Sequence, residues 1–175
     1  MQKDYGVKKK PSKPNRNATY AAITVGSIII GLVIALSYYT EQAKISGQRF
    51  GNNLEQIQSD LKDEVSDYES KFASWQKGGL TKQQMLEISD SHLKQLKNIL
   101  SRYETLVPPQ AFAPSLELFK RSTETQLESD KLQREWIETG DNATKIRSDE
   151  ILQQSFEYET SALASFNMAK GGKKP

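Results

Sequence analysis

The sequence predicts an all-α protein: an N-terminal transmembrane helix followed by an extracytoplasmic, up-down antiparallel bundle of three to four helices. Three observations predict it. No charged residue occurs from Asn17 to Thr40. Beyond that run, apolar residues recur at spacings of three and four, the period of an amphipathic helix. No segment alternates apolar and polar residues with the period of two that a half-buried strand requires.

The uncharged run reads Tyr20-Ala-Ala-Ile-Thr-Val-Gly-Ser-Ile-Ile-Ile-Gly-Leu-Val-Ile-Ala-Leu-Ser-Tyr-Tyr39. About 20 residues at a helical rise reach roughly 30 Å, the thickness of a bilayer's hydrocarbon core. Tyr20 and the pair Tyr38-Tyr39 stand where an interfacial aromatic belt would place them. Residues 1-19 form a basic tail, with Lys3, Lys8, Lys9, Lys10, Lys13 and Arg16 against Asp4 alone. The excess of positive charge puts that tail in the cytoplasm and residues 41-175 outside the cell membrane. Ala35-Leu36-Ser37 has the small-x-small pattern of a signal cleavage site, but the apolar run exceeds the usual signal core, which favours a retained single-pass anchor. Ser27, Gly31 and Ala35 lie four residues apart and form a ridge of small side chains, where a second membrane helix could approach closely.

Residues 40-53 contain Gly47, Gly51 and Asn52-Asn53 and are expected to be a linker. Asn53 with Gln56 resembles a capping box that opens the first outer helix. Leu54, Ile57, Leu61, Val65, Tyr68, Phe72 and Trp75 then form a heptad-like stripe, which could also pair with another copy as a coiled coil. Gly78-Gly79 ends it, and Thr81 with Gln84 opens the second helix. Met85, Ile88, Leu93, Leu96, Ile99, Leu100, Tyr103 and Leu106 carry the period to Pro108-Pro109, where proline pushes the chain out of the helical region.

Pro114 suits the first turn of a third helix, whose buried side is Leu116, Phe119, Leu127, Leu132, Trp136 and Ile137. Gly140 stops it, and Asp141 caps a fourth helix with Ile146, Leu152, Phe156, Leu163 and Phe166 on one face. Short loops between long helices make sequential helices antiparallel neighbours, so residues 54-169 form the bundle and 170-175 a tail.

Tyr103-Glu-Thr-Leu-Val-Pro-Pro109, Phe112-Ala-Pro-Ser-Leu-Glu-Leu-Phe119 and Ser155-Phe-Glu-Tyr-Glu-Thr-Ser-Ala-Leu-Ala-Ser-Phe166 carry a resemblance. The chain over roughly 81-169 resembles uncharacterised small single-pass archaeal membrane proteins with an extracytoplasmic helical domain. That resemblance implies the same architecture and an archaeal surface, and it brings no catalytic or ligand residues with it.

Composition excludes more chemistry than it suggests. With no cysteine there is no disulfide framework, thiolate metal site or cysteine nucleophile. His92 is the single histidine. Its spacing from Glu87 and Asp90 does not match the Glu-x-x-His repeats of a carboxylate-bridged metal pair, so a hydrogen-bonded boundary histidine is expected. No glycine-rich phosphate loop, nucleophile elbow or calcium loop is present in the sequence. Between residues 41 and 169, 21 acidic residues outnumber 15 basic ones, which opposes nucleic acid binding.

Asp130 and Arg134 lie four residues apart on the third helix, and Asp149 and Glu159 approach the inner side of the fourth; the four are expected either to pair across helices or to line a polar pocket. Asn142-Ala143-Thr144 is a glycosylation sequon on the outer side, with Asn142 the acceptor. Trp75, Trp136, Tyr103 and Tyr158 are expected in the core. No cofactor, metal or catalytic constellation is implied, and a non-enzymatic role is expected. The sequence therefore points to an interaction or accessory subunit of the membrane or cell envelope. Its partner would be another protein or a second copy met through the membrane helix. An extracytoplasmic sensor or small-solute-binding module is the alternative.

Overall fold

A computed structural model describes residues 41–171, which form four helices. Helix α1 spans Glu41–Gln76, α2 Lys82–Tyr103, α3 Ala113–Thr139 and α4 Asn142–Ala169. A short 3-10 turn, Gln110–Phe112, leads into α3. There is no strand among the described residues, and no helix among them is long and apolar enough to cross a membrane. The expected span at 20-39, with Ser27, Gly31 and Ala35, and the basic tail at 1-19 lie outside the described residues.

Each helix packs against the next, and cross-helix pairs fix antiparallel directions throughout. Gln58 meets Tyr103 and Tyr68 meets Ser89 between α1 and α2. His92 meets Asp130 and Tyr103 meets Thr123 between α2 and α3. The up-down order expected from the short loops is therefore the order of the bundle.

The helix starts divide into those the sequence announces and one it conceals. Thr81 caps α2 with both arms of a capping box: its hydroxyl accepts from the Gln84 amide, and Gln84 Oε1 accepts from the Thr81 amide. Asp141 caps α4 by accepting from the amides of Ala143 and Thr144. Gly140 adopts φ 76° and lets the chain leave α3 and enter α4 within two residues.

Helix α1, by contrast, starts well before Asn53. Residues 41-53 are helical rather than a linker, and Gly47 and Gly51 lie within the helix. Two internal glycines cost about 1 kcal/mol each relative to alanine. Phe50 offsets that cost, since its buried ring packs on Phe112, which in turn packs on Phe166. Phe50 stands one turn before Leu54 and two before Ile57, so it extends the stripe backward.

Two apolar clusters fill the bundle. One joins Phe50, Leu54, Ile57 and Leu61 to Leu96, Ile99, Tyr103, Phe112, Phe119, Leu127, Ala162 and Phe166. The other gathers Tyr68, Met85 and Ile137, with Phe72, Trp75 and Trp136 against them.

Among the described residues, α3 and α4 pack on each other most extensively. Ser115, Ser122 and Ser129 repeat every seven residues on α3, and Ser148, Ser155 and Ala162 repeat likewise on α4, all six buried. Ser122 and Ser155 each donate a hydroxyl proton to the other's carbonyl at 3.0 Å. Ser129 and Ser148 do the same at 2.8 and 2.9 Å. Small side chains allow the backbones together, and the reciprocal bonds occupy the second lone pair of each carbonyl. This seam also corrects one sequence expectation. Ile146 is exposed rather than inward-facing, because it lies two residues, about 200° around the helix, from Ser148 on the seam.

Candidate functional site

Between the two apolar clusters runs a layer of polar side chains centred on His92. On α1 the layer falls between Leu61 and Tyr68, on α2 between Met85 and Leu96, and on α3 between Leu127 and Ile137. His92 is 3% exposed, fully interior rather than the boundary histidine expected. Its Nδ1 lies 2.8 Å from Glu64 Oε1 on α1, and its Nε2 lies 3.1 Å from Asp130 Oδ2 on α3. The Tyr68 ring stacks on the imidazole at 4.0 Å with an interplanar angle of 5°. The Tyr68 hydroxyl pairs with Ser89, which itself donates to the Met85 carbonyl.

That geometry fits an imidazolium held between two ionised carboxylates. Ionised carboxylates only accept, so a ring facing one at each nitrogen must donate from both and carry the imidazolium charge. Burial alone would keep the ring neutral, but the bonds and charges of Asp130 and then Glu64 outweigh it and raise the His92 pKa. Burial also raises the Asp130 carboxyl, against the opposing pull of His92. His92 and Asp130 therefore both hold a proton more tightly than free groups would.

Beside the layer, a cleft of about 410 Å³ opens between α1 and α2, with Glu64, Tyr68, Leu80, Ile88 and His92 among its lining. It adjoins a second cleft of about 450 Å³ along the same two helices, lined by Asp60, Asp63, Asn98 and Arg102 and sharing Glu64, Asp67 and Gln95. Glu64 is thus the member of the trio that reaches solvent, with a quarter of its side chain exposed against 9% for Asp130.

A second polar layer crosses the larger apolar cluster. Gln58 Nε2 donates to the Tyr103 hydroxyl at 2.6 Å, and the Thr123 hydroxyl donates to the same oxygen at 3.2 Å. Glu159 of α4 stands near enough to raise the Tyr103 pKa through its charge. Glu159 Oε1 is buried without a hydrogen-bond partner, and burial pushes its carboxyl up to about 7.

The four residues expected to share a polar pocket are therefore dispersed. Asp130 is buried on His92, and Glu159 lies in the other layer. Arg134 forks onto Asp90 of α2 and bonds Glu138 one turn along its own helix. Asp149 is exposed and pairs with Lys145 at 2.7 Å. Interhelical pairing, the other expectation, describes Arg134 and Asp130. Asn142 lies exposed in the first turn of α4, where the sequon's Thr144 donates its hydroxyl to Asp141 at 2.7 Å.

Of the aromatic residues, Tyr103 is buried, whereas Trp75 and Trp136 are half-buried and meet edge to face at 5.6 Å. Tyr158 is half-buried beneath the Arg121 guanidinium. Among the described residues no three His, Asp or Glu side chains are placed to hold a metal ion.

Two features escaped the sequence-based expectations. Glu64 borders the apolar stripe but pairs with a residue 28 positions away, which periodicity cannot reveal. The serine seam was legible as two seven-residue repeats, yet serine contributes nothing to a hydrophobic pattern. No family model matches the chain, and neither a curated protein nor a solved structure does.

Proposed function

We propose that the protein is a membrane-anchored extracytoplasmic helical subunit that works by contact with a partner in the membrane or cell envelope. One observation carries this most directly. Helix α1 is helical from Glu41, the first described residue, and continues unbroken into the bundle core. An anchor at 20-39 would be joined to the bundle through this helix, which would orient the outer surface it presents. From Glu41 to the buried Phe50 a helix rises roughly 14 Å, enough to hold the bundle clear of the headgroups.

In this proposal the Ser27, Gly31 and Ala35 ridge packs against a partner's membrane helix or that of a second copy. The decisive experiment is affinity purification of the full chain from membranes, with protease added to a parallel sample of intact cells. Co-purification of a larger membrane complex, with the C-terminal domain digested and an N-terminal tag spared in the parallel sample, is the expected result. A C-terminus shielded from protease would reverse the orientation.

A second proposal, a sensor or small-solute-binding module, draws on the 410 Å³ cleft beside His92. A small molecule retained by the purified full chain would favour it over the subunit.

A further inference from the structure

We propose that the Glu64–His92–Asp130 layer is a proton-operated latch, which fastens the second half of α1 to α2 and α3 when protonated and releases it when the proton leaves. The trio has the right connectivity for this. It joins three helices through one ring, whereas the Gln58–Tyr103–Thr123 set that also joins them is centred on a phenol whose pKa burial raises.

Loss of the proton breaks a predictable bond. A neutral imidazole keeps one N–H, so one of the two carboxylates is left facing a lone pair at hydrogen-bond distance. Asp130 is the more deeply buried, and stripping it of its donor would strand a charge in the interior. Glu64 opens onto the cleft and can turn into water. The remaining N–H therefore stays on Asp130, and the Glu64 link is the one that opens.

The surroundings do not compensate. From α1 the layer faces Tyr68 as well as Glu64, and burial and then the Asp130 charge raise the carboxyl of Glu69, a further acid near it. From α3 it faces Asp130 alone, because Arg134 one turn away is engaged by Asp90 and Glu138. Lys71 at the cleft pairs with Asp67, and Glu87 adds negative charge there. Helix α4 packs on the opposite side of α3 through its serines. No cation replaces the lost imidazolium charge.

Release is confined to part of the molecule. Phe50, Leu54, Ile57 and the Gln58–Tyr103 bond hold the first half of α1, and none of them titrates in this range. The α3–α4 seam is made of hydroxyls and carbonyls and is equally indifferent. What loosens is residues 64–76, ending in the Trp75 contact with Trp136. This inference concerns the bundle itself and does not depend on the membrane anchor.

The chain carries its own reporters: one histidine and two tryptophans, both of the latter in that contact. In the full chain in detergent micelles, the His92 ring resonances followed by NMR should titrate above the ordinary histidine value. Deuterium protection of residues 64–76 should fall at least about tenfold more than that of α3–α4 between about pH 6 and about pH 9. Coupling between Trp75 and Trp136 in near-ultraviolet circular dichroism should vanish with the same midpoint. Glu64→Gln should abolish the pH dependence with the contact kept at both extremes, because an amide can accept from the charged ring or donate to the neutral one. A His92 titration at or below the ordinary value would overturn the latch. So would protection of 64–76 that ignores pH, or a Glu64→Gln chain that still opens as pH rises.

Discussion

The α3–α4 hairpin and the attachment of α1 rest on different kinds of polar bond, and that difference decides what each can do. Four reciprocal serine bonds close α3 on α4, and every group in them is neutral at any ordinary pH. Helix α1 is fastened through Glu64, His92 and Asp130, where three helices are joined by groups whose charge changes with one proton. Both regions bury polar atoms with partners, and so both avoid the cost of unsatisfied burial. Only one of them can be undone without denaturing the chain.

The largest effect should come from removing the charge partner at the centre of the α1 attachment. His92→Leu leaves Asp130 buried without its donor, a loss of about 3 to 5 kcal/mol for a broken buried pair. Because burial raises the Asp130 carboxyl, protonation can relieve part of that loss, so the variant should be least impaired in acid. Urea unfolding at several pH values would measure both. Equal losses at acid and alkaline pH would show that Asp130 was never the stranded charge.

The seam is tested by size rather than charge. Ser122→Leu forces a branched side chain between two backbones held at serine distance and should cost about 2 to 3 kcal/mol. Ser122→Ala removes one hydroxyl but keeps the approach, at about 1 kcal/mol. Neither cost should vary with pH, in contrast to His92→Leu. Calorimetric melting of both variants separates close packing from hydrogen bonding as the source of the seam's strength.

How much of this was legible in the sequence follows from the same contrast. The helices and their order were legible because Thr81, Asp141, Gly140 and Pro114 are local signals acting within a few residues. The start of α1 was obscured because Gly47 and Gly51 are local signals too, and the tertiary contact of Phe50 with Phe112 overrides them. Asp130 was read from the sequence only as a candidate for a polar pocket or an interhelical pair. Its partner His92 was expected at the boundary, since the pairing acid Glu64 comes from a different helix. Long-range polar pairs leave no periodic trace in either chain segment, and a seam of serines looks like surface.

Glu159 gives the third test, with a pH dependence of the same sign as the latch but on α4. Its folded carboxyl is raised to about 7 from an ordinary 4.5, so the folded state binds the proton more tightly. Stability should be full below the ordinary value and decline as pH rises toward about 7, by at most roughly 3 kcal/mol. Glu159→Gln removes the titrating group and should flatten that limb. Chemical unfolding across the range distinguishes it from the latch, because the Glu159 decline is global whereas the latch affects residues 64–76. A Glu159→Gln chain that keeps the full decline would assign it elsewhere.

The smallest effect belongs to the surface pair that also spans α1 and α2, Arg102 with Asp60. Both side chains are more than a third exposed, so solvent screens the attraction and the pair should contribute about 0.5 kcal/mol or less. Its pH dependence has the opposite sign to that of His92 and Glu159. The bond from Arg102 lowers the Asp60 carboxyl below its ordinary 3.8, so the contribution is present above that value and lost as pH falls through the lowered one. Asp60→Asn should therefore leave the chain nearly as stable as the parent near neutrality and alter only the strongly acid end. Raising the salt concentration should mimic the substitution, since an exposed pair is screened where the buried trio is not. If Asp60→Asn instead cost as much as His92→Leu, the attachment of α1 would rest on its exposed rim, and the interior histidine would be a passenger.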